Sequence, residues 1–222
     1  MKNFPRIKVC GMRDPENISR LAMLPIDYMG FIFYPASPRY VEKKLDFSVL
    51  TLLEHCGIAK AGVFVNDPPD KVINIAHENR LEVIQCHGEE TPEYCARLRQ
   101  EGFRVIKAFR VNEKMDKEWL ERYKESCDYF LFDTFSPSYG GSGKKFDWTL
   151  LKMLKSEKPF LLSGGIGPGD EKEIARVVLS EDLLYAVDLN SRFEVSPGVK
   201  DVGKIDSFIR TLHSLLKSKE NK

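Results

Sequence analysis

Apolar residues along the chain gather into eight short runs rich in β-branched and aromatic side chains: Ile7 to Cys10, Tyr28 to Phe33, Ala61 to Val65, Val83 to Cys86, Arg104 to Phe109, Tyr129 to Phe132, Phe160 to Leu162 and Tyr185 to Leu189. The runs are close to continuous instead of alternating with polar residues, the pattern of strands covered on both faces. They recur every 20 to 30 residues or so, about the length of a strand-helix unit. The polar stretches between them carry helix-start signals. In Asp14-Pro15-Glu16-Asn17 a capping aspartate precedes a first-turn proline and an acidic residue, and Asp67-Pro68-Pro69-Asp70, Thr91-Pro92-Glu93 and Gly169-Asp170-Glu171 follow the same style. Strands alternating with helices, with no linker or low-complexity stretch, predict an α/β chain folded as a single (β/α)8 TIM barrel over residues 1–222. A doubly wound open sheet is the alternative, but the first strand-helix turn, Cys10-Gly11-Met12-Arg13-Asp14, lacks the GxGxxG fingerprint of that fold.

Composition narrows the function classes. The 222 residues carry a formal net charge of +1, so no basic excess points to nucleic acid. No apolar run approaches the length of a membrane span, and the start MKNFPRIKV enters a strand without the features of a signal peptide, so a cytoplasmic location is expected. Cys10, Cys56, Cys86, Cys95 and Cys127 are odd in number and lack CxxC spacing, which predicts free thiols and no structural metal.

A barrel of this kind places its chemistry at the C-terminal ends of the strands. Cys10 ends the first run, Arg39 follows the second, His87 the fourth and Asp133 the sixth; Ser163-Gly164-Gly165 follows the seventh and Asp188 lies in the eighth. Asp133 closes an apolar strand and opens into a loop containing Gly140, Gly141 and Gly143. An acid and a thiol at the ends of different strands can transfer protons. Cys10 also suits simple packing, and a reactive role requires something that lowers its pKa. The Ser163 to Gly169 segment offers backbone N–H groups to a phosphate, or is only a tight turn. Arg39, between prolines and the next helix, suits a planar carboxylate or is solvated. His87 is either a catalyst or a loop-orienting donor, and it points away from its neighbour Cys86. Lys107 is a Schiff-base candidate or a barrel-interior lysine paired with an acid. Asp147 reads as a helix cap and Trp148 as a packing anchor, while Ser138 and Lys145 disqualify Gly143-Lys144 as a Walker loop.

Taken in order, KVCG at Lys8 to Gly11, GFIFYPASPRYV at Gly30 to Val41, GVFVND at Gly62 to Asp67, QCHGEE at Gln85 to Glu90, FDT with GGSGKKFDW, SGGI, and PGVKD at Pro197 to Asp201 resemble the phosphoribosylanthranilate isomerase family over essentially the whole chain. The resemblance implies a cofactor-free enzyme of tryptophan biosynthesis acting on a small phosphosugar, as monomer or homodimer. It would convert N-(5-phosphoribosyl)anthranilate into 1-(2-carboxyphenylamino)-1-deoxyribulose 5-phosphate by an Amadori rearrangement. By the same resemblance Asp133 is the acid, Cys10 the base and Arg39 the ligand of the anthranilate carboxylate. Gly164, Gly165 and Ser191 bind the phosphate, and Asp188 has a supporting role near the end of strand eight. The phosphate loop of the family usually reads SSGVE, whereas this chain has Asn190-Ser191-Arg192-Phe193-Glu194, with arginine in place of a glycine. Arg192 is expected to keep the backbone path and turn its side chain outward, where it could add a charge contact to the phosphate. Cys86, where leucine is common, reads as a core exchange. Rival readings are the related histidine-pathway isomerase, which pairs two aspartates where this chain has Cys10 and Asp133, and a catalytically silent binding protein on the same scaffold.

Overall fold

The apolar runs find partners on both edges. In the computed structural model, which describes residues 4–42, 44–111, 117–134, 148–151 and 156–220, they close into a ring of eight parallel strands in chain order. The strands are β1 (Arg6–Cys10), β2 (Tyr28–Ile32), β3 (Ala59–Phe64), β4 (Val83–Cys86), β5 (Arg104–Val111), β6 (Tyr129–Thr134), β7 (Phe160–Leu162) and β8 (Leu184–Leu189). Around them run α1 (Pro15–Leu21), α2 (Phe47–His55), α3 (Pro69–Glu78), α4 (Pro92–Gln100), α5 (Lys117–Glu121), α6 (Glu171–Ser180) and α7 (Val202–Glu220). The expected barrel is therefore present, with β5 reaching Val111 and β6 reaching Thr134, beyond the runs read from the sequence. A short antiparallel hairpin, β9 (Glu194–Ser196) with β10 (Val199–Lys200), follows β8 and was not expected. No helix among the described residues is long and apolar enough to cross a membrane.

The start signals act as read in two helices. Asp14 accepts from the Asn17 N–H at 2.7 Å and Thr91 from the Tyr94 N–H at 3.3 Å. The other two differ. Pro68 occupies the cap of α3, so Asp67 is left to pair with Lys71, and Asp170 turns back to accept from the Gly167 N–H at 2.8 Å. The last helix docks through Ile205, Phe208, Ile209 and Leu212, spaced to share one helical face.

Alternation along each strand sorts side chains between two cores. Tyr28, Ala61, Val83, Ile106, Ala108, Leu131, Leu161 and Ala186 fill the barrel. Ile7, Val9, Met29, Phe31, Ile84, Val105 and Phe109 face the helices. Lys107 lies between the inward Ile106 and Ala108, so it points outward, not into the barrel as the sequence reading had it. There its ammonium donates to Gly88 O at 2.6 Å and to Glu90 Oε2 at 2.9 Å, and the pairing with an acid holds. Glu90 also accepts from the Asn66 and Gly88 N–H groups, so one carboxylate fixes the loops after β3 and β4. All five cysteines are free thiols, and Trp148 is buried as the expected anchor.

Side chains of Lys107 and Glu90 are 1% and 2% exposed. Removing one partner leaves the other charge buried and uncompensated, at a cost of roughly 3–5 kcal/mol. Glu90→Ala should therefore lower the urea midpoint by that equivalent, and a loss below about 1 kcal/mol would mean that water reaches the Lys107 ammonium.

Candidate active site

Cys10 is the last residue of β1 and faces the barrel interior, since Ile7 and Val9 face the helices. Lys8 shares that face. Its ammonium, fully buried, donates to Asp188 Oδ2 at 2.9 Å, and the two residues stand opposite each other in the β1–β8 register. Burial pushes the Cys10 thiol up, against the pull of Lys8 and Lys200, and the balance leaves it above its ordinary value. The sequence reading asked for a net lowering; the lowering charges are present, but desolvation outweighs them. Burial likewise holds the Asp188 carboxyl above its ordinary value despite Lys8, and Oδ1 of Asp188 has no hydrogen-bond partner among the described residues. Gly30, the partner of Cys10 on β2, makes room for the thiol: a Cβ there would lie 2.7 Å from Sγ and 3.0 Å from Cys10 Cα.

Asp133 stands on β6, three strands round the ring from β1. Leu131 belongs to the inner core, so Asp133, two residues on, also faces inward. Oδ1 accepts from the Thr134 N–H at 2.8 Å, and Oδ2 lies 3.3 Å from His87 Nε2. Gln85 Nε2 donates to His87 Nδ1 at 2.8 Å, which leaves the ring proton of a neutral His87 on Nε2, aimed at Asp133. His87 thus serves the Asp133 carboxylate and not a loop. Asp188 lies within electrostatic reach of Asp133, His87 and Cys10, which gathers β1, β4, β6 and β8 at one mouth. Gly164 has φ +89°, and a Cβ there would stand 2.5 Å from Thr134 N and 2.8 Å from Asp133 Oδ1. Only glycine fits both the left-handed backbone and the approach to the carboxylate.

Arg39 is buried, which overturns the solvated alternative. Its Nε donates to Glu194 Oε1 at 2.8 Å and its Nη2 to Glu194 Oε2 at 2.6 Å. Lys200 Nζ reaches Glu194 Oε1 at 2.6 Å and Asn190 Oδ1 at 2.7 Å. Burial pushes the Glu194 carboxyl up, but the bonds from Arg39 and Lys200 outweigh it and hold the group below its ordinary value. One edge of the guanidinium is therefore committed, and Nη1 keeps no acceptor among the described residues. Glu194, Lys200, Lys8, Gln85 and Gly30 were not singled out in the sequence. The one available signal was spacing, since Lys8 and Gln85 sit two residues before Cys10 and His87.

Gly164 and Gly165 are consecutive left-handed residues at φ +89° and +66°. Among the described residues their N–H groups have no acceptor, an arrangement suited to an anion. Ser191 and Arg192 lie in the single 3-10 turn Ser191–Phe193 that follows β8. Gly140, Gly141, Gly143 and Asp147 lie outside the described residues.

The family model for N-(5'-phosphoribosyl)anthranilate (PRA) isomerase matches residues 7–211. The N-(5'-phosphoribosyl)anthranilate isomerase of Parabacteroides distasonis is 44% identical over 206 residues, covering 93% of this chain and 92% of the relative. The crystal structure of phosphoribosyl anthranilate isomerase from Thermus thermophilus superposes with a TM-score of 0.80 at 30% identity, covering 95% of this chain and 99% of that one. A further structure of such an isomerase, in complex with reduced 1-(o-carboxyphenylamino)-1-deoxyribulose 5-phosphate, gives a TM-score of 0.74 at 31% identity, covering 95% of this chain and 100% of that one.

Two measurements test this geometry. Gly30→Ala should cost about 1–3 kcal/mol through overpacking against the thiol, and Gly30→Ala with Cys10→Ala should recover much of that loss in urea unfolding. Simple additivity would mean that Sγ is not the obstruction. The ultraviolet absorbance of the thiolate, taken as wild type minus Cys10→Ala, should appear at higher pH than for an ordinary cysteine; appearance at lower pH than for an ordinary cysteine would show that the lysines outweigh burial.

Proposed function

The chain belongs to the N-(5'-phosphoribosyl)anthranilate isomerase family, and from that premise we propose that Asp133 and Cys10 are the acid and base of its Amadori rearrangement. The reaction opens the ribofuranose ring. Asp133 delivers a proton to the ring oxygen as the C1′–O bond breaks, and the anilino nitrogen supplies the electron pair that forms the C1′=N iminium. Cys10 then takes the C2′ proton, and the C–H electrons form C1′=C2′ while nitrogen becomes neutral. Ketonisation follows, C1′ gaining a proton and the C2′ hydroxyl losing one. General acid and base steps of this kind contribute about 10²- to 10⁴-fold each.

What supports the assignment is the shared direction of the two groups: both end strands on the inner side of one barrel mouth, with Asp188 in reach of each. His87 steadies Asp133 through Nε2. Arg39 offers its uncommitted Nη1 edge to the anthranilate carboxylate, since Glu194 holds the other edge. The open N–H groups of Gly164 and Gly165, with Ser191 opposite, take the phosphate. Clamping both ends of the substrate sets the ribose between acid and base. The complex of a relative with a reduced product analogue carrying both a carboxyphenyl group and a 5-phosphate is consistent with that division. On this reading the whole chain serves one barrel, works in the cytoplasm as monomer or homodimer, and needs no cofactor.

Loss of phosphoribosylanthranilate fluorescence, coupled to a source of that labile substrate, gives the assay. Wild-type protein should turn it over, while Cys10→Ala and Asp133→Asn should each lower kcat by about 10²-fold or more with the fold intact. A folded Cys10→Ala variant within a few-fold of wild type would remove the thiol from the mechanism.

A further inference from the structure

The loop after β8 departs from the family pattern at Arg192, which is exposed as expected while its stem rests on the loop after β7. A Cβ at Gly167 would run into Nε of Arg192 and stand 3.0 Å from its Cβ and Cδ, so the arginine stem lies flat across the β7 loop. It bridges the two loops that border the Gly164-Gly165 turn. Among the described residues its guanidinium makes no ion pair or hydrogen bond, although it is always charged. The turn itself offers neutral N–H donors only. Nearby, the Asp170 carboxylate holds the Gly167 N–H at 2.8 Å and so brings negative charge to the glycine that Arg192 covers.

We propose that Arg192 is a specificity-determining residue of the isomerase, its guanidinium binding the 5′-phosphate across Gly167 while Gly164 and Gly165 supply backbone donors. This inference rests on the isomerase reading. Arginine here exchanges a backbone-lined phosphate site for a charged one, which presents a planar fork to two phosphate oxygens. The phosphate end then contributes to substrate affinity through a charge that salt screens, and the site favours a dianion over a neutral group of the same size.

Arg192→Met keeps the stem on Gly167 and removes the charge; Arg192→Gly removes both. Each is compared with wild type for kcat and KM, and for inhibition by inorganic phosphate, by the reduced product analogue and by that analogue with a 5′-hydroxyl. Both variants should weaken inorganic phosphate and the phosphorylated analogue roughly tenfold, the range of a partly exposed charge-assisted bond. Affinity for the hydroxyl analogue and kcat should stay within about twofold of wild type. Raised salt should erode wild-type affinity for phosphate more steeply than that of Arg192→Met. Equal losses for both analogues would assign Arg192 to screening Asp170 within the loop and overturn the proposal, as would no loss at all. Wild-type turnover with no effect at Arg192 sinks this inference alone; Arg192-dependent phosphate binding without turnover of phosphoribosylanthranilate sinks the isomerase reading and leaves the anion site standing.

Discussion

The buried ion pair between Lys8 and Asp188 joins the first strand of the barrel to the last, beside Cys10 at the mouth where the proposed site lies. Desolvating two charges costs several kcal/mol per ion, and their attraction repays it only where further bonds satisfy the remaining atoms. Here one carboxylate oxygen, Oδ1 of Asp188, stays without a partner among the described residues. An apolar pair at this position would close the ring with less strain on the energy balance. The charges make sense through what they touch: Lys8 and Asp188 pull the Cys10 thiol in opposite directions, and the Asp188 carboxyl itself lies within reach of Asp133 and His87. One contact thus reinforces the β1–β8 ladder and sets the environment of the Cys10 thiol.

A second set of charges fixes the loops over that mouth. Glu194, on the hairpin after β8, binds Arg39 from the loop after β2 and Lys200 from its own second strand. Asn17 at the start of α1 accepts from the Lys200 N–H at 2.7 Å and donates to the Lys200 carbonyl at 2.8 Å, so the hairpin is also tied to the first helix. Gly11 completes the joint. At φ +77°, it has Arg39 Cδ and Asn190 Oδ1 where a Cβ would stand, so no side chain is accommodated. Arg39 is therefore a member of a preorganised set with two cations and one carboxylate, not a lone cation waiting for substrate, and a ligand carboxylate meets a residue whose orientation is already settled.

The eight strands and the strand-end placement of Cys10, Arg39, Asp133 and Asp188 were legible because strand patterning and barrel geometry are local and periodic. What the sequence hid depends on distance along the chain. Glu194 lies 155 residues from Arg39, and Asp188 lies 180 from Lys8, so neither pair leaves a local trace. Lys107 was misplaced for a different reason: parity along β5 decides its side of the sheet, and the flanking Ile106 and Ala108 hold that information. The turned-back Asp170 shows the limit of cap signals, because an aspartate at a helix start can as well serve the preceding loop. The hairpin after β8 is only three plus two residues, too short for any alternation to show.

Burial of Cys10 looks at first like an obstacle to the proposed use of its thiol as a base, since it holds the thiol above its ordinary value. The order of the reaction resolves the conflict. Ring opening comes first and needs an acid, while the nitrogen remains neutral until the C1′–O bond breaks. The iminium formed by that step places a new positive charge on the C1′=N unit next to C2′, close to the thiol proposed to remove the C2′ proton. In a desolvated site a nearby cation acts strongly, in the same sense as Lys8 and Lys200 already act on this sulfur. The base thus gains its charge when the substrate becomes acidic at C2′, and a thiol held high beforehand makes the stronger proton acceptor once ionised. Desolvation and the two lysines are opposing settings of one sulfur, and on the proposed assignment the intermediate formed with Asp133 as acid tips the balance between them.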